Sequence, residues 1–135
     1  MERTFVMVKP DGVKAGLVGE CIRRYEARGL ALVDLRLDRL TAEIAQVHYG
    51  EHAGKPFFPG LVEHVTSGPV VLMVLEGEGA VAAARKTNGA TNPLDAEPGS
   101  IRGDFALEIT ANVVHGSDSV TTAEREIGIF FPNLK

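Results

Sequence analysis

The chain has 135 residues, with 14 Lys and Arg against 18 Asp and Glu and a formal net charge of −4. That length suits one domain spanning residues 1–135. A composition of 44% hydrophobic and 24% charged residues supplies a core, which excludes a disordered or collagen-like chain. The acidic balance also argues against a broad basic surface for nucleic acid or an anionic membrane, so an anionic ligand has to be held by a few Lys and Arg gathered in one place.

Thr4 to Val8 is a short apolar and β-branched run stopped by Lys9-Pro10-Asp11-Gly12, which predicts a buried strand entering a tight turn. The run is too short for a signal h-region or a membrane span. From Leu17 onward, Val18, Cys21, Ile22 and Tyr25 recur at helical spacing, Glu20 and Arg24 stand four apart, and Gly29 supplies a stop. Cys21 is the only cysteine, so no intrachain disulfide forms and the expected compartment is reducing, with the cytoplasm as the default address. Leu30 to Leu40 alternates, with Val33, Leu35 and Leu37 on one face and Asp34, Arg36 and Asp38 on the other, as an edge strand with one wet face does.

Thr41 is placed to cap a helix carrying Ile44, Val47 and His48, and Pro59 to begin another that uses Leu61 and Val65. Pro69 to Leu75 is apolar without alternation, as in a central strand covered on both faces, and Gly79 to Arg85 after it is alanine-rich and helical. Residues 88 to 100 form a turn-rich stretch of the length typical of functional loops, and Ile101 to Phe105 adds a helical turn. Asn112 to Val114 predicts a last short strand, and Thr121 with Glu124 a capping box for a helix using Ala123, Ile127 and Phe130. The order βαββαβ predicts an α/β sandwich of the α+β kind. One sheet would carry helices on one face, and two right-handed crossovers would bring the first and third strands to its middle.

Three short patterns carry less than they promise. Gly77-Glu-Gly79-Ala-Val-Ala82 matches a dinucleotide fingerprint, which would suit an oxidoreductase. The second strand and its acidic end are missing, however, so a small-residue turn is the better reading. His48-Tyr-Gly-Glu51-His52 matches an inverted zincin pattern, but Gly50 weakens the helix and no third ligand follows, so solvated histidines near a helix end are expected. Gly54-Lys55-Pro56 lacks the residues of a phosphate-binding P-loop.

The informative segment is Asn112-Val-Val-His115-Gly-Ser117-Asp118-Ser119. A histidine after a β-branched pair sits where a strand leaves the sheet, and taken alone it reads equally as a polar turn residue or as a chemical group. Its neighbours favour chemistry. Gly116 permits close approach by a ligand, Ser117 and Asp118 offer hydrogen bonds, and Glu126 on the next helix can accept from one imidazole nitrogen and leave the other as nucleophile. Lys9, Arg85 and Arg102, with Tyr49, Phe57 and Phe58, could hold phosphate oxygens and stack a base if the fold brings them together.

Five blocks, Glu2 to Val13, Ser67 to Val71, Gly89 to Pro93, Pro98 to Phe105 and Asn112 to Ser119, resemble in order the signature segments of nucleoside diphosphate kinases, and the likeness covers nearly the whole chain. The resemblance implies a ferredoxin-like βαββαβ fold with a four-stranded antiparallel sheet and helices packed on it. It implies a kinase that moves the terminal phosphate of ATP or another nucleoside triphosphate to a nucleoside diphosphate through phospho-His115, with little base specificity. Lys9, Tyr49 and Arg102 would lie near the transferring phosphoryl group, Arg85 and Thr91 at the diphosphate, Asn112 with Lys9 at a ribose hydroxyl, and Phe57 against the base. Glu126 would hold the imidazole and Ser117 would support Glu126. Mg²⁺ would arrive bridging nucleotide phosphates, with Asp118 reaching it through water, and the subunits would assemble as a homo-oligomer, a tetramer or hexamer. The alternative from another class is a non-catalytic nucleotide-binding or interaction module of the same fold.

Overall fold

The computed structural model describes residues 1–135. Four strands, β1 (Glu2–Val8), β2 (Ala31–Asp38), β3 (Val70–Gly77) and β4 (Val114–Gly116), form one sheet in the order β2-β3-β1-β4. Every neighbouring pair is antiparallel, and β1 and β3, which carry the apolar runs Phe5–Val8 and Val70–Leu75, occupy the centre as their composition predicts. Seven helices connect and cover the sheet: α1 (Pro10–Lys14), α2 (Val18–Ala27), α3 (Ala42–His48), α4 (Phe58–Val65), α5 (Ala80–Asn88), α6 (Ile101–Phe105) and α7 (Val120–Phe130). No helix is long and apolar enough to cross a membrane.

Helices cover both faces of the sheet, not one. Val6, Val8, Met73 and Leu75 point to a layer containing Cys21 and Tyr25 of α2 with Ala80 and Ala84 of α5. Phe5, Met7, Leu72 and Val74 point the other way, against Ala45 of α3, Val65 of α4 and Phe130 of α7. A strand buried on both faces has no polar side to alternate, which is why β1 and β3 read as unbroken apolar runs.

Local chemistry shifts several boundaries. An irregularity between Leu32 and Asp34 takes Val33 out of step, so Leu32, Leu35 and Leu37 share a face with Leu75, Met73 and Val71, while Val33 packs into the opposite layer. The buried face of α3 is Ala45 and His48, whereas Ile44 and Val47 are exposed. Helix α7 is capped by Ser119, whose extended backbone lets its hydroxyl accept from the Thr122 N–H at 3.1 Å. This replaces the Thr121 and Glu124 box expected from sequence. Gly79, with φ +60°, makes the turn into α5, and Gly77 lies so close to Leu30 that a Cβ there would meet Leu30 Cδ2 at 2.9 Å. The Gly77–Ala82 pattern is thus a small-residue packing turn.

The last strand begins later than expected. Val113 has φ +75°, and the Val114 N–H donates to the Asn112 carbonyl at 2.9 Å. This is a γ-turn in its rare positive-φ form. Such a turn breaks the extended run before Val114 and places His115 inside β4, opposite Met7. A β-branched residue in this conformation is costly, on the order of 1–3 kcal/mol, and persists only where the surroundings over-determine it.

Candidate active site

A cavity of about 620 Å³ opens between the sheet and the α3–α4 segment, and ten of the eleven residues given roles by the family resemblance line it, whereas Phe58 packs against the core layer instead. They are Lys9, Tyr49, Phe57, Arg85, Thr91, Arg102, Asn112, His115, Asp118 and Glu126. Ser117, the eleventh, is fully buried behind them.

His115 is half-buried at the cavity wall, and its Nε2 lies 2.8 Å from Glu126 Oε2. The other carboxylate oxygen of Glu126 accepts a short hydrogen bond from the Ser117 hydroxyl. Glu126 is buried and reaches inward from α7, and an ionised carboxylate can only accept, so the imidazole Nε2 carries the proton. Nδ1 is then left with its lone pair available.

Lys9 and Arg102 are held by backbone carbonyls and an amide oxygen, with no salt bridge to either. Lys9, at the end of β1, donates from Nζ to the Thr110 carbonyl and to Asn112 Oδ1, both at 2.8 Å, and Asn112 in turn donates from Nδ2 to the Thr91 carbonyl at 2.9 Å. Burial pushes the Lys9 pKa down to about 8, against a partial counter-effect from Asp11, with Arg102 adding to the fall. Arg102 donates from Nη1 to the Gly89 carbonyl at 2.7 Å, from Nη2 to Val114 at 2.6 Å and from Nε to Asn112 at 3.3 Å. Burial lowers its pKa to about 10, partly opposed by Tyr25 and reinforced by Arg85. Three of its five N–H groups are thereby committed, and two remain for a ligand. Arg85 projects from α5, exposed.

Tyr49 ends α3 with its ring 4.5 Å from that of His48, and burial, with Glu126 adding to it, raises its phenol to about 12, so it stays a hydroxyl. Phe57, at the start of α4, is 51% exposed, a flat apolar surface at the mouth. Asp118 is an exposed carboxylate held below its ordinary pKa by hydrogen bonding from Thr122, with the Arg85 charge acting the same way.

Two expectations need correction. His48 is not solvated: it is 2% exposed, its ring stands edge-on to His115 at 4.7 Å between centroids, and its Nδ1 is 3.4 Å from Glu126 Oε2. Burial pushes its pKa down to about 2, reinforced by its neighbours His115, Arg125 and His52, so it is neutral. The only signal for this placement was its position on the buried face of a short helix, which the exposed neighbour Val47 obscured. Gly116 does line the cavity, but the space left by its missing Cβ is taken by Asn88: a Cβ there would meet Asn88 Nδ2 at 2.6 Å, and the bond from Tyr25 holds Asn88 in place.

These residues make a pocket with three cationic side chains, a stacking surface and one oriented imidazole, which suits a polyphosphate attached to a flat base. The comparisons agree. The family model described as nucleoside diphosphate kinase matches residues 2–135. The nucleoside diphosphate kinase of Acaryochloris marina is 64% identical over 131 residues, which are 97% of this chain and 88% of that one. That of Carboxydothermus hydrogenoformans is 60% identical over the same shares. Among solved structures, a halophilic nucleoside diphosphate kinase from Halobacterium salinarum in complex with CDP superposes with a TM-score of 0.96 at 50% identity, covering 98% of this chain and 88% of that one. The apo enzyme of Encephalitozoon cuniculi gives 0.97 at 40% identity, over 100% and 92%. The chain belongs to the nucleoside diphosphate kinase family, and it is an enzyme of that kind.

Proposed function

We propose that the chain, acting as one domain over residues 1–135, moves phosphate between nucleotides in two half-reactions through a phosphohistidine at Nδ1 of His115. The observation that carries this reading is the Nε2 to Glu126 contact, which leaves Nδ1 as the free nitrogen beside the cations. In the first half-reaction the Nδ1 lone pair attacks the terminal phosphorus of a nucleoside triphosphate. The bond to the bridging oxygen breaks, and the diphosphate departs with that electron pair. In the second, a terminal oxygen of another diphosphate attacks the phosphorus and the N–P bond breaks. The proton on Nε2 stays on the Glu126 side throughout, and that carboxylate stabilises the charge that the ring acquires.

Lys9, Tyr49 and the two spare N–H groups of Arg102 serve the transferring phosphoryl group. Arg85 and Thr91 hold the diphosphate, Asn112 with Lys9 meets a ribose hydroxyl, and Phe57 stacks on the base. Ser117 keeps Glu126 in place. A π-face is common to every base, so stacking on Phe57 supports broad nucleotide use. Glu126 is committed to His115 and Ser117, so the acids near the phosphates include no ready cage for a bare ion. This fits Mg²⁺ that arrives with the nucleotide, with Asp118 reaching it through water. When bound, the ion neutralises phosphate charge.

The unpaired edge of β2, with Leu32, Leu35 and Leu37 exposed and Leu37 at 67%, supports a homo-oligomer, a tetramer or hexamer. The single buried thiol Cys21 supports a reducing compartment, the cytoplasm. The test is to mix the protein with ATP and Mg²⁺, remove the nucleotide, and measure intact mass and the acid lability of the adduct. One acid-labile phosphoryl group is expected, absent in His115→Gln although that variant still binds nucleotide. An unmodified mass in protein that binds ATP refutes the intermediate.

A further inference from the structure

The aim of His115 depends on a strained turn two residues before it, and that turn is held from outside. Val113 has both backbone groups tied to one segment. Its N–H donates to Asp11 Oδ2 at 2.9 Å, and its carbonyl accepts the Lys9 N–H at 2.8 Å. The floor beneath is tight, since a Cβ at Gly12 would meet the Val113 carbonyl oxygen at 2.8 Å. β4 is only three residues long, so its ladder to β1 is short and the Val113 turn helps to set the backbone from which the imidazole reaches Glu126.

Asp11 has a second partner. Its Oδ1 lies 2.9 Å from His64 Nε2, and His64 sits near the end of α4. Phe57 stands at the start of the same helix. Phe57, Leu61 and His64 follow at spacings of four and three, so they share one face, with about 10 Å along the axis between the first and the last. Phe57 and Leu61 line the cavity. One short helix therefore spans from the surface at the cavity mouth to the carboxylate that pins the nucleophile's turn.

We propose that Asp11 and His64 are positioning residues: Asp11 holds the Val113 turn that aims His115, and His64 couples this clamp to the helix that carries Phe57. The consequence is that a nucleotide seated against Phe57 steadies α4 and, through His64 and Asp11, the imidazole. The proposal rests on the reading of His115 as the phosphate carrier. It differs from the roles given to the cavity residues because neither side chain belongs to the cavity wall.

Two measurements on the full chain test it, with variants chosen to keep the fold. His64→Phe keeps the volume and removes the donor, His64→Gln restores an N–H at a similar reach, and Asp11→Asn keeps an acceptor for Val113. The first measurement is the rate of phosphoenzyme formation at saturating ATP and Mg²⁺, set beside the nucleotide dissociation constant. The expected result is a roughly tenfold lower maximal rate for His64→Phe with the dissociation constant within twofold, and recovery to within threefold in His64→Gln. The second measurement is hydrogen exchange at the Val113 amide by NMR, expected to be strongly protected in the wild type and in Asp11→Asn, and to quicken at least tenfold in His64→Phe. A His64→Phe protein with unchanged rate and unchanged Val113 exchange overturns the proposal, as does a His64→Gln protein no better than His64→Phe. If the wild type takes up no phosphate, the phosphohistidine reading fails, and Val113 exchange still decides the clamp.

Discussion

Glu126→Gln is the sharpest test of the imidazole's role, because the outcome depends on which way an amide must face. In the native site Ser117 donates to one oxygen of Glu126 and the His115 Nε2–H donates to the other. Glutamine has one oxygen and one NH₂. Keeping the Ser117 bond places the oxygen there and turns the NH₂ toward His115, where Nε2 must then accept. The ring proton moves to Nδ1, and the nucleophile is blocked. A wrong-tautomer penalty of this kind is roughly 10³- to 10⁴-fold in rate, about 4–5 kcal/mol at 1.36 kcal/mol per decade. The flipped amide restores the active tautomer, but its NH₂ must then donate to the Ser117 oxygen, and the Ser117 proton is turned from the strong bond to Glu126 onto the Phe5 carbonyl, a long contact at 3.4 Å. Adding Ser117→Ala removes that preference, so the double variant is expected to be faster than Glu126→Gln alone. Rapid-quench measurement of phosphoenzyme formation gives the rates, and imidazole ¹⁵N shifts give the tautomer. A Glu126→Gln rate within tenfold of wild type, with Nδ1 still unprotonated, refutes the assignment.

Phe57→Ala is expected to weaken binding of every nucleotide by a similar factor, about 1–3 kcal/mol if the ring stacks, and titration with two purine and two pyrimidine diphosphates would expose any base-selective loss. The depressed Lys9 pKa of about 8 means that the free protein sheds this proton as pH rises through 8, while a bound phosphate favours the ammonium; nucleotide binding should therefore take up protons near pH 8 to 9, seen as a buffer-dependent enthalpy in calorimetry, and Lys9→Met should abolish the dependence. For His48 the ordinary value of 6.5 falls to about 2 on folding, so below pH 6.5 the unfolded chain gains a proton that the folded chain refuses. Stability is then fully present above 6.5 and declines as pH falls, by about 2 kcal/mol between 6.5 and 5 at ~1.4 kcal/mol per unit, and denaturant titrations of His48→Gln should show a flatter slope over that window.

The alternation of strands and helices was legible because burial on both faces leaves a period-free apolar signature, as in Val70 to Val74, and because Thr41 and Gly29 carry the chemistry of helix ends. What escaped were features decided by contacts remote in sequence. Nothing local to Val113 predicts φ +75°; Asp11 and Lys9, about a hundred residues away, impose it. The β-bulge at Val33 moves side chains across the sheet without a glycine to announce it. His48 looked like a helix-end histidine because its role depends on Phe130 and Glu126, which pack over it from α7. The site residues themselves were legible through the resemblance rather than through spacing, since Lys9, Phe57, Arg85 and His115 share no local pattern.

The electrostatics of the cavity explain how an acidic chain suits a polyphosphate. Arg3, Arg23, Arg24 and Arg36 are each paired with a carboxylate, which offsets their charge locally. Lys9 and Arg102 are bonded instead to carbonyls and an amide oxygen, groups that satisfy the N–H donors without cancelling the charge. Burying a charge this way is unfavourable, and the depressed pKa values of both groups register the penalty. Asp11 offsets only part of it, and an incoming phosphate supplies further counter-charge, so part of the binding energy is stored in the free protein as incompletely compensated charge. A carboxylate introduced at Thr91 would fill that vacancy: Thr91→Glu should raise the Lys9 pKa, stabilise the fold and weaken nucleotide binding together. If Thr91→Glu left the Lys9 pKa low while binding still fell, the loss would be steric and the stored-charge account would be wrong.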